Sequence, residues 1–337
     1  MSLLPFIHRV SEGASLSMQE ARDAMGALLD GTASESQVAA FLVALRMKGE
    51  TAAELAGFAG AMRERMIVVD AGENVIDTCG TGGDGVGTFN ISTVAAFVMA
   101  GAGARIAKHG NRSISSRSGS ADVFEALGVR AAMTAEEAGR AVREIGIGFL
   151  YAPGLHPAMK FVQPVRRELK MRTVFNLLGP LANPARARSQ VIGAPSTEAA
   201  SLMAEALAHL GTGRVFVVHG SGLDEVSIAG PTDVFEVCGS RVMKHRWTPE
   251  DFGLQSARIE ALAGGDAAHN AQIARDILSG KLGPGRDVVL MNAVAGLVAG
   301  GLFTDLREAM SAAAQSIDTG AALRRLTELQ KHFPVKM

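Results

Sequence analysis

Cysteine is scarce in this chain, and an excess of charge of either sign is missing. The two cysteines, Cys79 and Cys238, lie far apart and match no metal-ligand or redox spacing. That argues against a disulfide framework and fits a reducing compartment. Lys and Arg number 33 against 34 Asp and Glu, a formal net charge of -1, so no bulk attraction to nucleic acid or an anionic membrane is expected. Any anion bound here must be held by a local cluster. Long apolar runs are absent too: the stretches 94–104 and 288–303 fall short of the ~20 residues that a bilayer span needs, and both contain glycine. The N-terminus lacks a basic flank followed by a long apolar run, so no signal peptide is expected and the cytoplasm is the expected location.

What is present is a hydrophobic share of 47% with 20% charged residues, which fits a soluble globular protein with an ample core. At 337 residues, one large domain plus a small one is the natural expectation. The first part of the chain reads as helix alone. Ser17 with Glu20, Ser34 with Gln37 and Thr51 with Glu54 form three capping boxes, in which a hydroxyl accepts an orphan backbone N–H and the later side chain reaches back. A helical domain over residues 1–68 follows, with Phe41, Leu42 and Leu45 on its buried stripe. From Asn74 strands and helices alternate: strands at 75–77, 105–107, 147–151 and 214–219, helices at 92–100, 120–127 and 196–210, and one capped by Thr134 and Glu137. This rhythm predicts an α/β domain over 69–337, with a mostly parallel central sheet flanked by helices. Residues 157–183, helical with several prolines, interrupt it and are expected to join the N-terminal helices in space. Beyond Val242 helices are expected near 266–279, 287–300 and 306–331.

Four clusters carry chemistry. Residues 77–93 follow a strand and precede a helix, and their glycines let backbone N–H groups wrap an anion, with Asn90, Ser92 and Thr93 as further donors at a helix N-terminus. Gly80, Gly82 and Gly85 also satisfy the dinucleotide-binding spacing. The acid expected ~20 residues later is missing, however; Arg105, Lys108 and His109 stand there. No Gly-Lys-Ser/Thr ends the loop, so a P-loop fails as well. The second cluster, 108–120, is rich in cations and hydroxyls at a strand's carboxyl end, which suits a phosphate or pyrophosphate. Third, the adjacent carboxylates Asp224 and Glu225 after a strand repel each other unless a cation intervenes, and Mg²⁺ shared with a polyphosphate is the candidate. Fourth, Arg166 offers a planar fork for a carboxylate, although a surface salt bridge explains it equally well.

Taken in order, Gly80-Thr81-Gly82-Gly83-Asp84, Asn90-Ile91-Ser92-Thr93, Lys108-His109-Gly110-Asn111-Arg112, Ser118-Gly119-Ser120-Ala121-Asp122, the run from Arg172 to Pro180, and Leu223-Asp224-Glu225 resemble the anthranilate phosphoribosyltransferase family of tryptophan synthesis. The resemblance spans nearly the whole chain, up to Asn292-Ala293. It implies a small helical domain hinged to a larger α/β domain, and a homodimer through the helical part. It implies that phosphoribosyl pyrophosphate is held by Gly80, Gly83, Asp84, Thr88, Asn90, Ile91, Ser92, Thr93, Lys108, His109, Gly110, Asn111, Arg112, Ser113, Ile114, Ser115, Ser116 and Ser120. Ser92, Asp224 and Glu225 become the expected Mg²⁺ positions, with two ions. Anthranilate is expected at Gly80, Asn111 and Arg166, with His109, His156 and Pro180 lining its path. No clear general base emerges; His109 is the candidate, and the substrate's own carboxylate is another. One departure is Lys170-Met171, where family members commonly carry a glycine. A pyrimidine nucleoside phosphorylase and a non-catalytic nucleic-acid-binding relative share the fold. The Asp224-Glu225 pair and the 108–112 cluster speak against the first, and the near-neutral charge speaks against the second.

Overall fold

The computed structural model describes residues 2–82, 85–113 and 117–335; among the expected site residues Gly83, Asp84, Ile114, Ser115 and Ser116 lie outside them. The chain opens with helices α1 (Leu4–Ser11), α2 (Met18–Leu29), α3 (Glu35–Lys48) and α4 (Ala52–Arg65). All three expected capping boxes form at the starts of α2, α3 and α4. The last does more than cap. Glu54 is fully buried and accepts from the N–H groups of Thr51 and Leu16, both at 2.8 Å, and from Lys48 Nζ at 2.9 Å. One carboxylate thereby ties the loop before α2 to the start of α4.

The remaining elements alternate. They run β1 (Val75–Gly80), α5 (Ile91–Gly101), β2 (Arg105–Gly110), α6 (Ser120–Ala126), α7 (Ala135–Ile145), β3 (Ile147–Tyr151), α8 (Ala152–Leu155), α9 (Gln163–Leu169), α10 (Phe175–Leu178), β4 (Ser189–Gly193), α11 (Thr197–Leu210), β5 (Thr212–Gly220), β6 (Thr232–Gly239) and β7 (Arg241–Trp247). Four helices close the chain: α12 (Ala267–Leu278), α13 (Pro284–Ala299), α14 (Leu306–Asp318) and α15 (Ala321–His332). Among the described residues seven strands form one sheet in the order β3-β2-β1-β4-β5-β6-β7. The first five are parallel to one another, and β6 and β7 return as antiparallel hairpins.

Several expectations need correction. Strand β1 runs on to Gly80 because Thr78, Cys79 and Gly80 pair with Val191, Ile192 and Gly193 of β4, a short strand not anticipated. Strands β6 and β7 were not anticipated either, since β7 is mostly exposed and carries four basic residues and no clean alternation. The single helix expected over 306–331 is two, broken where Gly320 takes φ 70°.

Successive side chains on a strand point to opposite faces, which splits the core in two. Val191, Phe216, Val218 and Val234 face a layer with α5, α13, α14 and α15, whereas Ile192, Val215, Val217 and Phe235 face α11. The second layer continues without a break into the N-terminal helices: α4 packs on α11, and Val162, Val165, Phe175, Leu178 and Leu181 share the same core with Phe41, Leu42 and Leu45. Segment 157–183 thus packs onto the N-terminal helices.

Lys170 ends α9 in the left-handed conformation, φ 47° and ψ 33°. That backbone costs a non-glycine residue about 1–2 kcal/mol, and glycine's greater unfolded freedom cancels about half of it. Lys170→Gly is therefore expected to stabilise the protein by roughly 0.5 kcal/mol, read as a higher urea midpoint at unchanged slope. A lower midpoint would show the strain is absent.

Candidate active site

The strand order reverses between β1 and β4, and in open α/β sheets ligands bind outside the carboxyl ends of the strands at such a switch point. Two glycines stand there. A Cβ on Gly193 would collide with the main-chain oxygen of Asp224, and one on Gly80 with the Asp224 carboxylate. The segment carrying the acidic pair therefore lies directly against the strand ends. Leu223 and Gly220 exchange backbone hydrogen bonds of 2.9 Å, which closes the turn that delivers it. Asp224 Oδ2 accepts from the Gly82 N–H at 2.7 Å, and Glu225 Oε1 accepts from the Ser92 N–H at 3.1 Å. Both carboxylates thus meet the glycine-rich loop, one at its middle and the other at the positive start of α5.

Beneath them lies a buried charge network. Lys108, 1% exposed, donates to the Thr78 carbonyl at 2.6 Å and to Ser92 Oγ at 3.2 Å. Burial pushes its pKa down while Cys79, Asp77 and Glu225 oppose that shift. Asp77 is wholly buried, and desolvation raises its pKa although it accepts from the His109 N–H at 3.0 Å and from Gln190 Nε2 at 3.3 Å. Gln190 also donates to the Pro180 carbonyl at 3.0 Å. Asp77 in this way joins β1, β2, β4 and the Pro180 segment.

Not every expected contact residue faces open space. Ile91 and Thr93 are each 1% exposed, so Ile91 offers its backbone and the buried Thr93 hydroxyl finds no partner among the described residues. Thr88 pairs by a single β-bridge with Ala263. Asn90 is committed within the protein: its amide donates to the Ser118 carbonyl at 3.3 Å, and its carbonyl accepts from Asn270 Nδ2 at 2.9 Å. The Arg112 guanidinium is already neutralised by Asp122 and Glu125 at 2.7–2.8 Å. Asp122 also accepts from the N–H groups of Ser113 and Gly119. Gly110 has no room for a side chain because Ser120 Oγ and Phe149 occupy that space, and the Asn111 carbonyl accepts from the Ala121 N–H and the Ser120 hydroxyl. Residues Asn111–Ser113 are thus folded back on the start of α6.

Next to Lys108 on β2, the His109 ring lies 5.2 Å from that of His156 at 45°, and the Nε2 of each is buried with no partner among the described residues. Burial lowers the pKa of His109 to about 4, and burial with the neighbouring His109 lowers that of His156 to about 3. Both rings are neutral at pH 7. Arg166, half-buried on α9, stacks 5.1 Å from the Phe175 ring centroid and forms no ion pair among the described residues; its polar contact is Gln163 Oε1 at 3.4 Å. Such a guanidinium is a seat for a planar carboxylate.

Comparison with known proteins decides what this constellation belongs to. The chain matches the glycosyl transferase family helical bundle domain over residues 4–66 and the a/b domain of the same family over residues 72–323. It is 55% identical to the anthranilate phosphoribosyltransferase of Solibacter usitatus, with 98% of each chain covered, and 52% identical to that of Desulforamulus reducens, covering 96% of this chain and 94% of that protein. The chain belongs to the anthranilate phosphoribosyltransferase family. Among solved structures, that of the Thermus thermophilus enzyme superposes with a TM-score of 0.91 at 44% identity, covering 97% of this chain and 98% of that one. The Saccharomyces cerevisiae enzyme in complex with phosphoribosyl pyrophosphate and Mg gives 0.89 at 31% identity, covering 98% and 97%.

The acidic pair fits a magnesium ion carried by such a substrate. Among the described residues no group of three or more His, Cys, Asp or Glu could cage an ion, and Mg²⁺ typically uses one or two carboxylates plus phosphate oxygens. Some residues of this phosphoribosyltransferase site were not picked out in the sequence. Asn270, 3% exposed, accepts from the Gly265 N–H at 2.7 Å while donating to Asn90. The Phe89 N–H donates to the Leu262 carbonyl at 3.0 Å and the Gly264 N–H to the Gly87 carbonyl at 2.9 Å, so the 262–270 stretch clamps the glycine-rich loop. From the helical side, Arg46 donates to the Arg172 carbonyl and Arg172 Nη1 to the Gly82 carbonyl. The signal available for Asn270 was a polar residue on the inward face of an amphipathic helix.

Because the folded-state values of His109 and His156 lie below the ordinary 6.5, the unfolded chain binds protons first as pH falls. Their contribution to stability is full above about pH 6.5 and is lost as pH drops toward about 4 and about 3. Melting temperature is expected to fall over that window, and His156→Phe to flatten the fall. An unchanged slope in His156→Phe would remove the histidine from the account.

Proposed function

We propose that the cleft over the carboxyl ends of β1 and β4 transfers the 5-phosphoribosyl group of phosphoribosyl pyrophosphate to the amine of anthranilate, giving N-(5-phosphoribosyl)anthranilate and pyrophosphate. The observation that carries this reading is the meeting of Asp224 and Glu225 with the glycine-rich loop and the Ser92 N–H at the sheet's switch point. A bond forms between the amine nitrogen and ribose C1, and the bond from C1 to the pyrophosphate oxygen breaks. Little covalent work falls to the protein, so positioning and electrostatics dominate. Ser92, Asp224 and Glu225 would hold Mg²⁺, two ions in all, which would supply charge neutralisation for the leaving pyrophosphate.

The chain's own residues do the rest. The glycine-rich stretch lies along the phosphates, where the N–H groups of Thr81, Gly82, Phe89, Ser92 and Thr93 are already engaged within the protein, and Asn111–Ser113 and Ser118–Ser120 face it with main chain and hydroxyls while Arg112 is held by Asp122 and Glu125. Lys108 lends its charge from below through Ser92. Arg166 takes the anthranilate carboxylate, which the Saccharomyces cerevisiae relative solved with 4-fluoroanthranilate makes chemically apt. His109 and His156 present unpartnered neutral nitrogens along the path of the amine. At a pKa of about 4, His109 is a weak proton acceptor at neutral pH rather than a strong base, which leaves the substrate carboxylate as the other acceptor.

Loss of anthranilate fluorescence with phosphoribosyl pyrophosphate and Mg²⁺, each omitted in turn, tests the reading; turnover independent of phosphoribosyl pyrophosphate would end it. Asp224→Ala or Glu225→Ala is expected to weaken Mg²⁺-dependent use of that substrate, and unchanged kinetics would remove the metal assignment. Arg166→Ala loses a charged hydrogen bond of about 1.5–3 kcal/mol, so the KM for anthranilate is expected to rise on the order of 10- to 100-fold. A change confined to the other substrate would contradict that role. The protein is also proposed to work in the cytoplasm as a homodimer through its helical domain, whose α1 and α3 expose Leu4 at 46% and Met47 at 82%. Sedimentation velocity distinguishes the dimer from a monomer, and Met47→Glu is expected to weaken it.

A further inference from the structure

We propose that Asn292, in the middle of α13, is a positioning residue that fixes the Asp224-Glu225 carboxylates for Mg²⁺; this rests on the metal reading above. Asn292 is 0% exposed and stands in an otherwise apolar run, from Val288 to Val298. An amide there is unfavourable unless every polar atom is bonded. Two of its three bonds go to one residue. Asn292 Oδ1 accepts from the Val226 N–H at 2.9 Å, and Nδ2 donates to the Val226 carbonyl at 2.8 Å. The second Nδ2 hydrogen returns to the Val288 carbonyl of its own helix at 2.9 Å, which fixes the side chain's rotation.

Val226 directly follows Glu225. The side-chain amide therefore grips both peptide units flanking Val226, as a neighbouring β-strand would. The Val226 N–H belongs to the same peptide unit as the Glu225 carbonyl, so this grip sets the direction in which the Glu225 side chain leaves the main chain. The other restraints on the segment come from elsewhere: Gly193 and Gly80 press on Asp224 from the strand ends, and the Ser227 N–H donates to Thr232 Oγ1 at 3.0 Å. Among the described residues no other hydrogen bond to Val226's main chain replaces Asn292. Groups that orient metal ligands from behind are commonly worth 10- to 100-fold in metal affinity or activity.

The test compares full-length Asn292→Leu, which keeps the branched shape and loses all three bonds, and the milder Asn292→Ser with Val288→Ala. The last opens a cavity in the same helix but leaves the Val226 pairing intact. Two quantities are read: Mg²⁺ half-saturation of turnover at saturating phosphoribosyl pyrophosphate, and Mn²⁺ binding in the presence of that substrate by electron paramagnetic resonance. Asn292→Leu, or Asn292→Ser should the first fail to fold, is expected to weaken both on the order of 10-fold or more. Val288→Ala should lower the melting temperature with both unmoved. Glu225→Gln serves as the reference for a lost ligand. If Glu225→Gln weakens metal binding and the Asn292 variants change only the melting temperature, the positioning role is overturned. If Glu225→Gln leaves metal binding intact, the metal reading falls, and this inference with it.

Discussion

At the ends of β1 and β4 two glycines leave no side chain between the strands and the main chain of Asp224, and the site is arranged around that contact. A methyl group at Gly193 would displace the acidic segment, and with it the partner of the Gly82 N–H. The glycine-rich loop, the start of α5 and the carboxylates are then within hydrogen-bonding distance before any substrate arrives. The strand order explains why this happens here. Where crossovers leave in opposite directions from β1 and β4, a crevice opens that no helix fills.

The electrostatics follow from the same crowding. Lys108 and Asp77 are both removed from water, and burial works against the charge on each. Each is compensated by the other and by fixed dipoles: the Thr78 carbonyl for Lys108, the His109 N–H and Gln190 amide for Asp77. The network at the strand ends is thus polar and prearranged, with two neutral imidazoles packed together beside it, and Arg166 stacks separately on the ring of Phe175.

The local parts of this arrangement were legible in the sequence because their chemistry is local. Hydroxyl and carboxylate three residues apart announce a capping box, and all four expected boxes form. A run of glycines after a strand announces an anion loop. What stayed hidden depends on partners distant along the chain. Strand β4 is only five residues long and is defined by its neighbours β1 and β5. Asn270 and Asn292 look ordinary until folding sets them against Asn90 and Val226, 180 and 66 residues away. Sequence also left out what else holds some residues: Arg112 belongs to the cationic cluster by its charge, and the fold sets it against Asp122 and Glu125, whose spacing on α6 carried no warning.

The unbroken apolar layer shared by the N-terminal helices, residues 162–182 and α11 has a consequence for how the protein is made. Helices α1 to α4 leave the ribosome before the surfaces they cover, which are encoded roughly 100 to 200 residues later, at ~5–20 residues per second of synthesis. For many seconds Phe41, Leu42 and their neighbours have no permanent cover. Capping boxes on α2, α3 and α4, and a Glu54 hub that needs only residues 16–54, are local contacts available to the segment while it waits.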